Sequence, residues 1–174
     1  MNTTLDSPSA ATGLARRAVA FWPVFGGIVA TDYVSKRVAE GRLALHSPHG
    51  VLGDFVRLTL TYNTGAAMNF SLGDSSRVAF TALAAMMLVI IFRMYRRTPD
   101  HDTSQAIALA LIAAGALGNL LDRLRSARGV VDYIDVGIGD ARFWTFNVAD
   151  MGVTCGALLL ALLLWRRPAE ISGS

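Results

Sequence analysis

The segment Phe146–Trp165, FNVADMGVTCGALLLALLLW, starts with polar letters and then runs without a charge from Met151 to Trp165. Its length suits one crossing of a hydrocarbon layer, since a helix rises about 1.5 Å per residue and the layer is about 30 Å thick. Asp150 lies one helical turn inside it. A carboxylate in hydrocarbon is costly and by default marks a functional site. Read as a span, the segment makes the chain a membrane protein and raises the question of what partners Asp150.

Three more apolar runs precede it: Arg16–Lys36 (RRAVAFWPVFGGIVATDYVSK), Val78–Phe92 between Arg77 and Arg93, and roughly Ser104–Leu121. The chain has 174 residues, 53% hydrophobic and 17% charged, with mean hydropathy +0.43. That is one domain's length, with more apolar residue than a water-soluble domain of this size can cover. The reading is an all-α integral membrane protein with four transmembrane helices, at approximately 17–36, 77–95, 104–123 and 146–165. They form one domain over 16–168, after a disordered N-terminal stretch (1–15) and before a short tail (169–174). The first run also has the features of a signal peptide cut after Ala30. Asp32 to Lys36 continue its helical pattern, however, and further spans follow, which favours a retained helix.

The net charge is +3 and the pI about 9.5. The basic residues sit in small clusters at the edges of apolar runs, so they read as headgroup anchors and no nucleic acid partner is expected. Four spans put both termini on one side. Arg16, Arg17, Arg93, Arg96, Arg97, Arg166 and Arg167 fall on that side and nine Lys and Arg on the other; the tight clustering of the first group at span ends weakly favours it as cytoplasmic, but charge alone leaves the orientation open. Cys155 has no second cysteine to pair with and carries no redox information.

The two longer connections have patterns of their own. In DFVRLTLTYNTGAAMNF (Asp54–Phe70), Val56, Leu58, Leu60 and Tyr62 alternate with polar residues, which predicts a strand at the membrane surface. ARGVVDYIDVGIGDARFW (Ala127–Trp144) is β-branched and aromatic between glycines and predicts a short strand or hairpin. Within the spans, Ala106, Ala110, Ala114 and Gly118 form a stripe of small residues, and Gly152 and Gly156 repeat the spacing, a pattern that lets helices approach closely. Asn147, Asp150 and Thr154 share the other face of the last helix; Asn119, Asp122 and Arg123 cluster at the end of the third, and Asp32 and Lys36 near the end of the first. The plainest structural readings are an i,i+4 ion pair for Asp32 and Lys36, and a helix cap for Asn147.

Protease chemistry is the natural question for such residues. A zinc peptidase needs a histidine pair on a helix, but His46, His49 and His101 all fall in loops. A serine nucleophile needs a base, and no span contains a histidine; Ser35 and Lys36 are neighbours that face different directions. An aspartic mechanism needs two carboxylates that share a proton. Asp150 is one, and spacing leaves Asp32, Asp122, Asp132, Asp135 and Asp140 open as the other. GIGD (Gly137–Asp140) fits the GxGD signature of one class of intramembrane aspartyl protease, but Ala141 and Arg142 follow it in a polar connection. No metal and no cofactor is implied.

Five motifs in order resemble the lipoprotein signal peptidase (signal peptidase II) family: DYVSK at Asp32–Lys36, YNTGAAMNF at Tyr62–Phe70, GALGNLLDR at Gly115–Arg123, GVVDYI at Gly129–Ile134 and FNVAD at Phe146–Asp150. The resemblance implies a catalytic dyad of Asp132 and Asp150. It also implies substrate-binding or dyad-supporting roles for Asp32, Lys36, Asn63, Gly65, Asn119, Asp122, Arg123 and Asn147. The implied activity is removal of signal peptides from diacylglyceryl-modified bacterial prolipoproteins, with cleavage before the lipidated cysteine. Inhibition by globomycin-type compounds, contact with membrane lipid and a monomeric state are expected. The location would be the bacterial cytoplasmic (inner) membrane, with both termini cytoplasmic and the β-rich loops and dyad on the periplasmic side. Three positions depart from the family pattern: Met68 stands where Phe is usual, Met151 where Ser is usual, and Ala114 where Gly is usual. The competing reading, a small transporter or proton-conducting protein using intramembrane carboxylates, would need polar groups spread through the membrane depth.

Overall fold

The computed structural model describes residues 15–65 and 76–166. Most of the stretch expected to be disordered (1–15), Met68 with the rest of its loop, and the tail 169–174 lie outside the described residues. The elements in chain order are α1 (Arg16–Arg42), β1 (His49–Leu52), β2 (Val56–Asn63), α2 (Ser76–Arg97), α3 (Thr103–Arg125), β3 (Val130–Ile138), β4 (Ala141–Arg142) and α4 (Val148–Arg166). All four helices are long and apolar enough to cross a membrane. They are joined by a four-stranded sheet of order β1-β2-β3-β4, antiparallel throughout.

Helix α3 is the centre of the bundle and packs against α1, α2 and α4. The small-residue stripe is the reason: Ala106, Ala110, Ala114 and Gly118 are buried, along with Leu109 and Ile112. Without bulky side chains the helix backbones meet closely. A Cβ built on Gly115 would collide with the Ala149 carbonyl oxygen, and one on Gly156 would lie 2.8 Å from the Ala108 carbonyl oxygen. The other faces of the helices carry large apolar side chains outward, such as Val78, Val89, Leu158 and Leu164, which suits a lipid surround. At the Arg17 end, Phe21 packs on Phe25, Phe92 and Tyr95 and ties α1 to α2.

The sheet covers the opposite end. Leu60, Val131 and Tyr133 pack with Ala39 of α1, so an apolar patch fastens the strands to the helices. Strand β2 has the expected alternation, with Leu58, Leu60 and Tyr62 on this cluster. Its register with β3 shifts between Leu58 and Thr61, a bulge that places Thr61 opposite Asp132. The GIGD segment forms the β3–β4 turn: Gly139 has φ 55°, and Asp140 is exposed. The Asp140 carboxylate therefore lies in a solvent-facing hairpin turn, which argues against the GxGD reading.

The glycine contacts make a directional test. Gly115→Ala should lower the Tm of the purified protein by several degrees, since overpacking costs about 1–3 kcal/mol. Gly27→Ala, with open space around it, should leave Tm unchanged or raise it slightly through helix propensity. Thermal unfolding in one detergent compares the two.

Candidate active site

The start of α4 organises the site. Asn147 caps the helix: its side-chain Oδ1 accepts from the Asp150 backbone N–H at 2.9 Å, while its own backbone N–H donates to Asp150 Oδ2 at 3.1 Å. This is a reciprocal capping arrangement, with Asn and Asp in the usual Ser/Thr and Glu positions. Asp150 therefore sits in the first turn, where the helix dipole and free N–H groups favour negative charge. Its carboxylate accepts a second bond, at Oδ1 from Asn119 Nδ2 at 2.8 Å. The cap reading of Asn147 is correct but incomplete, because its Nδ2 also donates to Asp132 Oδ1 at 2.7 Å. One asparagine thus touches both carboxylates.

Asp132 comes from β3 and is 3% exposed. Two features of the backbone hold it. Val131 N–H donates to Asp122 Oδ2 at 3.2 Å, and the Val131 carbonyl accepts from Asn147. Asn63 at the end of β2 adds a side-chain hydrogen bond to Asp132 and accepts from Gly65 N–H at 3.0 Å through Oδ1. Burial pushes the Asp132 carboxyl up to about 7, and the nearby Asp150 charge pushes the same way. The bonds from Asn147 and Asn63 and the Lys36 charge oppose this without cancelling it. Burial and the neighbouring charge thus favour the protonated form of Asp132 up to about neutral pH.

Behind the two carboxylates lies a buried ionic cluster. Lys36 is 1% exposed. Its Nζ contacts Asp32 Oδ2 at 2.8 Å, Asp122 Oδ2 at 2.9 Å and Asn119 Oδ1 at 3.0 Å, using all three donors. Asp32 Oδ1 in turn accepts from the Ala149 N–H in the first turn of α4, at 2.8 Å. The i,i+4 pair read from DYVSK is present, and it also links α1, α3 and α4. Arg123 turns the other way from its neighbour Asp122. It donates to the Asn119 carbonyl and, at 3.1 Å, to the Gly65 carbonyl, so it fastens Gly65 just past the end of β2.

The structure therefore brings Asp132, Asp150, Asn63, Asn119 and Asn147 together, with Asp32, Lys36 and Asp122 behind them and Arg123 and Gly65 at the edge. Of the five candidate partners for Asp150, Asp132 shares its asparagine. Asp32 and Asp122 are held by Lys36, Asp135 is held by Arg142 and Thr59, and Asp140 is exposed. A cavity of about 680 Å³ opens onto both carboxylates. Its far wall is Phe143, Trp144, Phe146, Met151 and Cys155. Sequence reasoning did not single out Phe143 and Trp144 as lining residues; the aromatic run before FNVAD was the available signal.

Fold and site together define a membrane-embedded carboxylate-pair protein with a large, mostly apolar cavity at the pair. The family profile described as "Signal peptidase (SPase) II" matches residues 24–166. A lipoprotein signal peptidase of Pseudomonas syringae pv. tomato is 39% identical over 165 residues, covering 92% of this chain and 93% of its own. The lipoprotein signal peptidase of Hydrogenovibrio crunogenus is 38% identical over 144 residues, covering 81% and 83%. A solved bacterial membrane enzyme superposes with TM-score 0.76 at 25% identity, over 90% of this chain and all of the other. The chain belongs to the lipoprotein signal peptidase (signal peptidase II) family, and it is an aspartic peptidase that removes signal peptides from prolipoproteins.

The ionic cluster yields a stability prediction. Lys36→Met leaves the buried Asp32 carboxylate without a cation and Asp122 with only the longer Arg37 contact at 3.4 Å, and removing one partner of a buried pair costs about 3–5 kcal/mol. The expected result is a large fall in Tm or loss of folded protein. Arg77→Met, which removes a single exposed bond to the Arg123 carbonyl, should change Tm little in the same assay.

Proposed function

We propose that Asp132 and Asp150 are the catalytic pair and that they cut the prolipoprotein just before its diacylglyceryl-modified cysteine. The observation that carries this is the single Asn147 side chain that bonds Asp132 and caps the turn holding Asp150. Asp150, with its donors from Asn119 and the helix start, acts as base and takes a proton from the attacking water. Asp132 gives its proton to the oxygen of the scissile carbonyl. The tetrahedral intermediate then collapses: Asp132 takes back a proton from the intermediate's hydroxyl, the C–N bond breaks, and Asp150 passes the water's proton to the departing amine. Asn63, Asn119 and Asn147 orient the carboxylates. Arg123, held to the Gly65 carbonyl at the edge of the site, is placed to meet the substrate backbone.

The cavity wall of Phe146, Met151, Val153 and Cys155 supports acceptance of apolar signal sequence and acyl chains from the bilayer. Met151, at the position usually Ser, faces this cavity and is half-exposed; it touches neither carboxylate's hydrogen bonds as described above. The buried ionisable side chains Asp32, Lys36, Asp122, Asp132 and Asp135 gather at the end where α1 and α3 finish and α4 begins. That one-sided grouping favours a peptidase over a transporter. For topology we infer that both termini are cytoplasmic in a bacterial inner membrane and that the sheet and dyad face the periplasm. The compact arginine clusters at the other end of the bundle support this.

The test is cleavage of a lipidated prolipoprotein by Asp132→Asn and Asp150→Asn proteins, each shown to be folded. Each should lose at least about 100-fold in kcat/KM, the scale of general acid–base catalysis. Wild-type activity should fall as pH rises through about 7, because the acid form of Asp132 is lost there. Retained cleavage by either folded variant would remove the assignment.

A further inference from the structure

Asp132 is a wall between two cavities. The apolar one described above runs along α4. A second, of about 570 Å³, lies on the β2 side and is lined by His46, Thr61, Tyr62, Arg142 and Thr145, with Asn63 and Asp132. The two share Asn63, Asp132, Phe143, Trp144 and Thr145. Beyond the shared residues their chemistry differs: the first is walled by Met151, Val153 and Cys155, and the second adds hydroxyls, an imidazole and a guanidinium to the shared Phe143 and Trp144 rings.

We propose that this second chamber binds the polar peptide that follows the lipidated cysteine and so sets the enzyme's preference for the first residues of the mature chain. The proposal rests on the peptidase reading above. The substrate has two apolar parts, the signal sequence and the acyl chains, and one polar arm. A scissile bond held at Asp132 with the apolar parts towards α4 leaves that arm directed to the β2 side.

The walls of the chamber are fixed in place. Arg142 donates through Nε to Asp135 Oδ1 at 2.9 Å and through one terminal nitrogen to the Asp54 carbonyl at 2.6 Å. Asp135 is held in turn by Thr59. The Arg142 charge is thereby matched by Asp135, so the chamber suits small uncharged polar side chains and does not call for an acidic one. The β2 bulge sets Thr61 opposite Asp132, with its hydroxyl 3.5 Å from the Asp132 carbonyl. Bulges beside active sites commonly re-aim a side chain in this way. His46 is the one non-glycine residue among those described with positive φ, 57°. Its N–H donates to the Leu60 carbonyl at 3.0 Å, and this conformation places it on the chamber wall. Strained backbone of this kind persists only where the surroundings hold it.

The test uses the full-length enzyme in lipid nanodiscs and two synthetic lipidated substrates with the same signal sequence. One ends at the cysteine amide; the other continues for several Ser and Gly residues. The longer substrate should have a kcat/KM at least about 10-fold higher, a difference that one good set of polar contacts supplies. Trp as the first residue after the cysteine should abolish that advantage. His46→Trp, which fills the chamber, should bring the ratio close to 1, while His46→Asn, which tolerates left-handed backbone, should keep it. A wild-type ratio near 1, or an equal loss on both substrates in His46→Trp, would overturn the proposal. The wild-type substrate series decides the matter even if a variant fails to fold. Cleavage of neither substrate by wild-type enzyme would instead remove the peptidase reading, and this proposal with it.

Discussion

The Lys36 ammonium, almost fully removed from solvent, bonds Asp32, Asp122 and Asn119 at 2.8–3.0 Å, and each of those three reaches a different part of the site. Asp32 meets the first turn of α4, Asp122 holds the β3 backbone beside Asp132, and Asn119 donates to Asp150. One cation therefore fixes the relative position of a helix start and a strand from distant parts of the chain. Burying such charges is costly, and their mutual attraction repays this only when every donor and acceptor is used. That condition is met at Lys36, whose three donors have three acceptors. The cluster reads as positional: it keeps two carboxylates at a set separation in surroundings where unpaired charge would otherwise distort the fold.

The same surroundings explain how the pair works. A carboxyl in water would be ionised at neutral pH, and two ionised neighbours could neither donate a proton nor tolerate each other's charge. Burial against β2 and α4 keeps a proton on Asp132, while the helix start supplies Asp150 with donors suited to a carboxylate. In the proposed mechanism the division of acid and base follows from which element each residue occupies: a buried strand for one, a helix N-terminus for the other.

Periodicity alone made the four helices legible, because apolar runs of membrane length have few competing explanations. The small-residue stripe of α3 was equally plain, and its Ala106 and Ala110 are buried with Phe21 of α1 and Ile91 of α2, while α4 meets the neighbouring face at Ala108, Leu111 and Gly115. Alternation in Val56–Tyr62 predicted a strand, but the bulge beside Thr61 had no letter to announce it. The partner of Asp150 could not be read from spacing. Asp132 lies in a different element, and what joins them is Asn147, which donates to Asp132 through its side chain and to Asp150 through its backbone N–H, a residue whose cap role alone was visible locally. The motif resemblance named Asp132 where spacing left five choices. The second cavity depends on the course of β2 and on the backbone of His46, which are tertiary facts with no counterpart in a motif.

The central claim, that one proton resides on the pair and that Asp132 holds it, is open to direct observation by infrared difference spectroscopy of the purified protein. The protonated-carboxyl carbonyl band should be present at pH 6, disappear with a midpoint at about 7, and be missing from the Asp132→Asn protein. A wild-type protein without that band at pH 6, or an Asp132→Asn protein that keeps it with the same midpoint, would contradict the account.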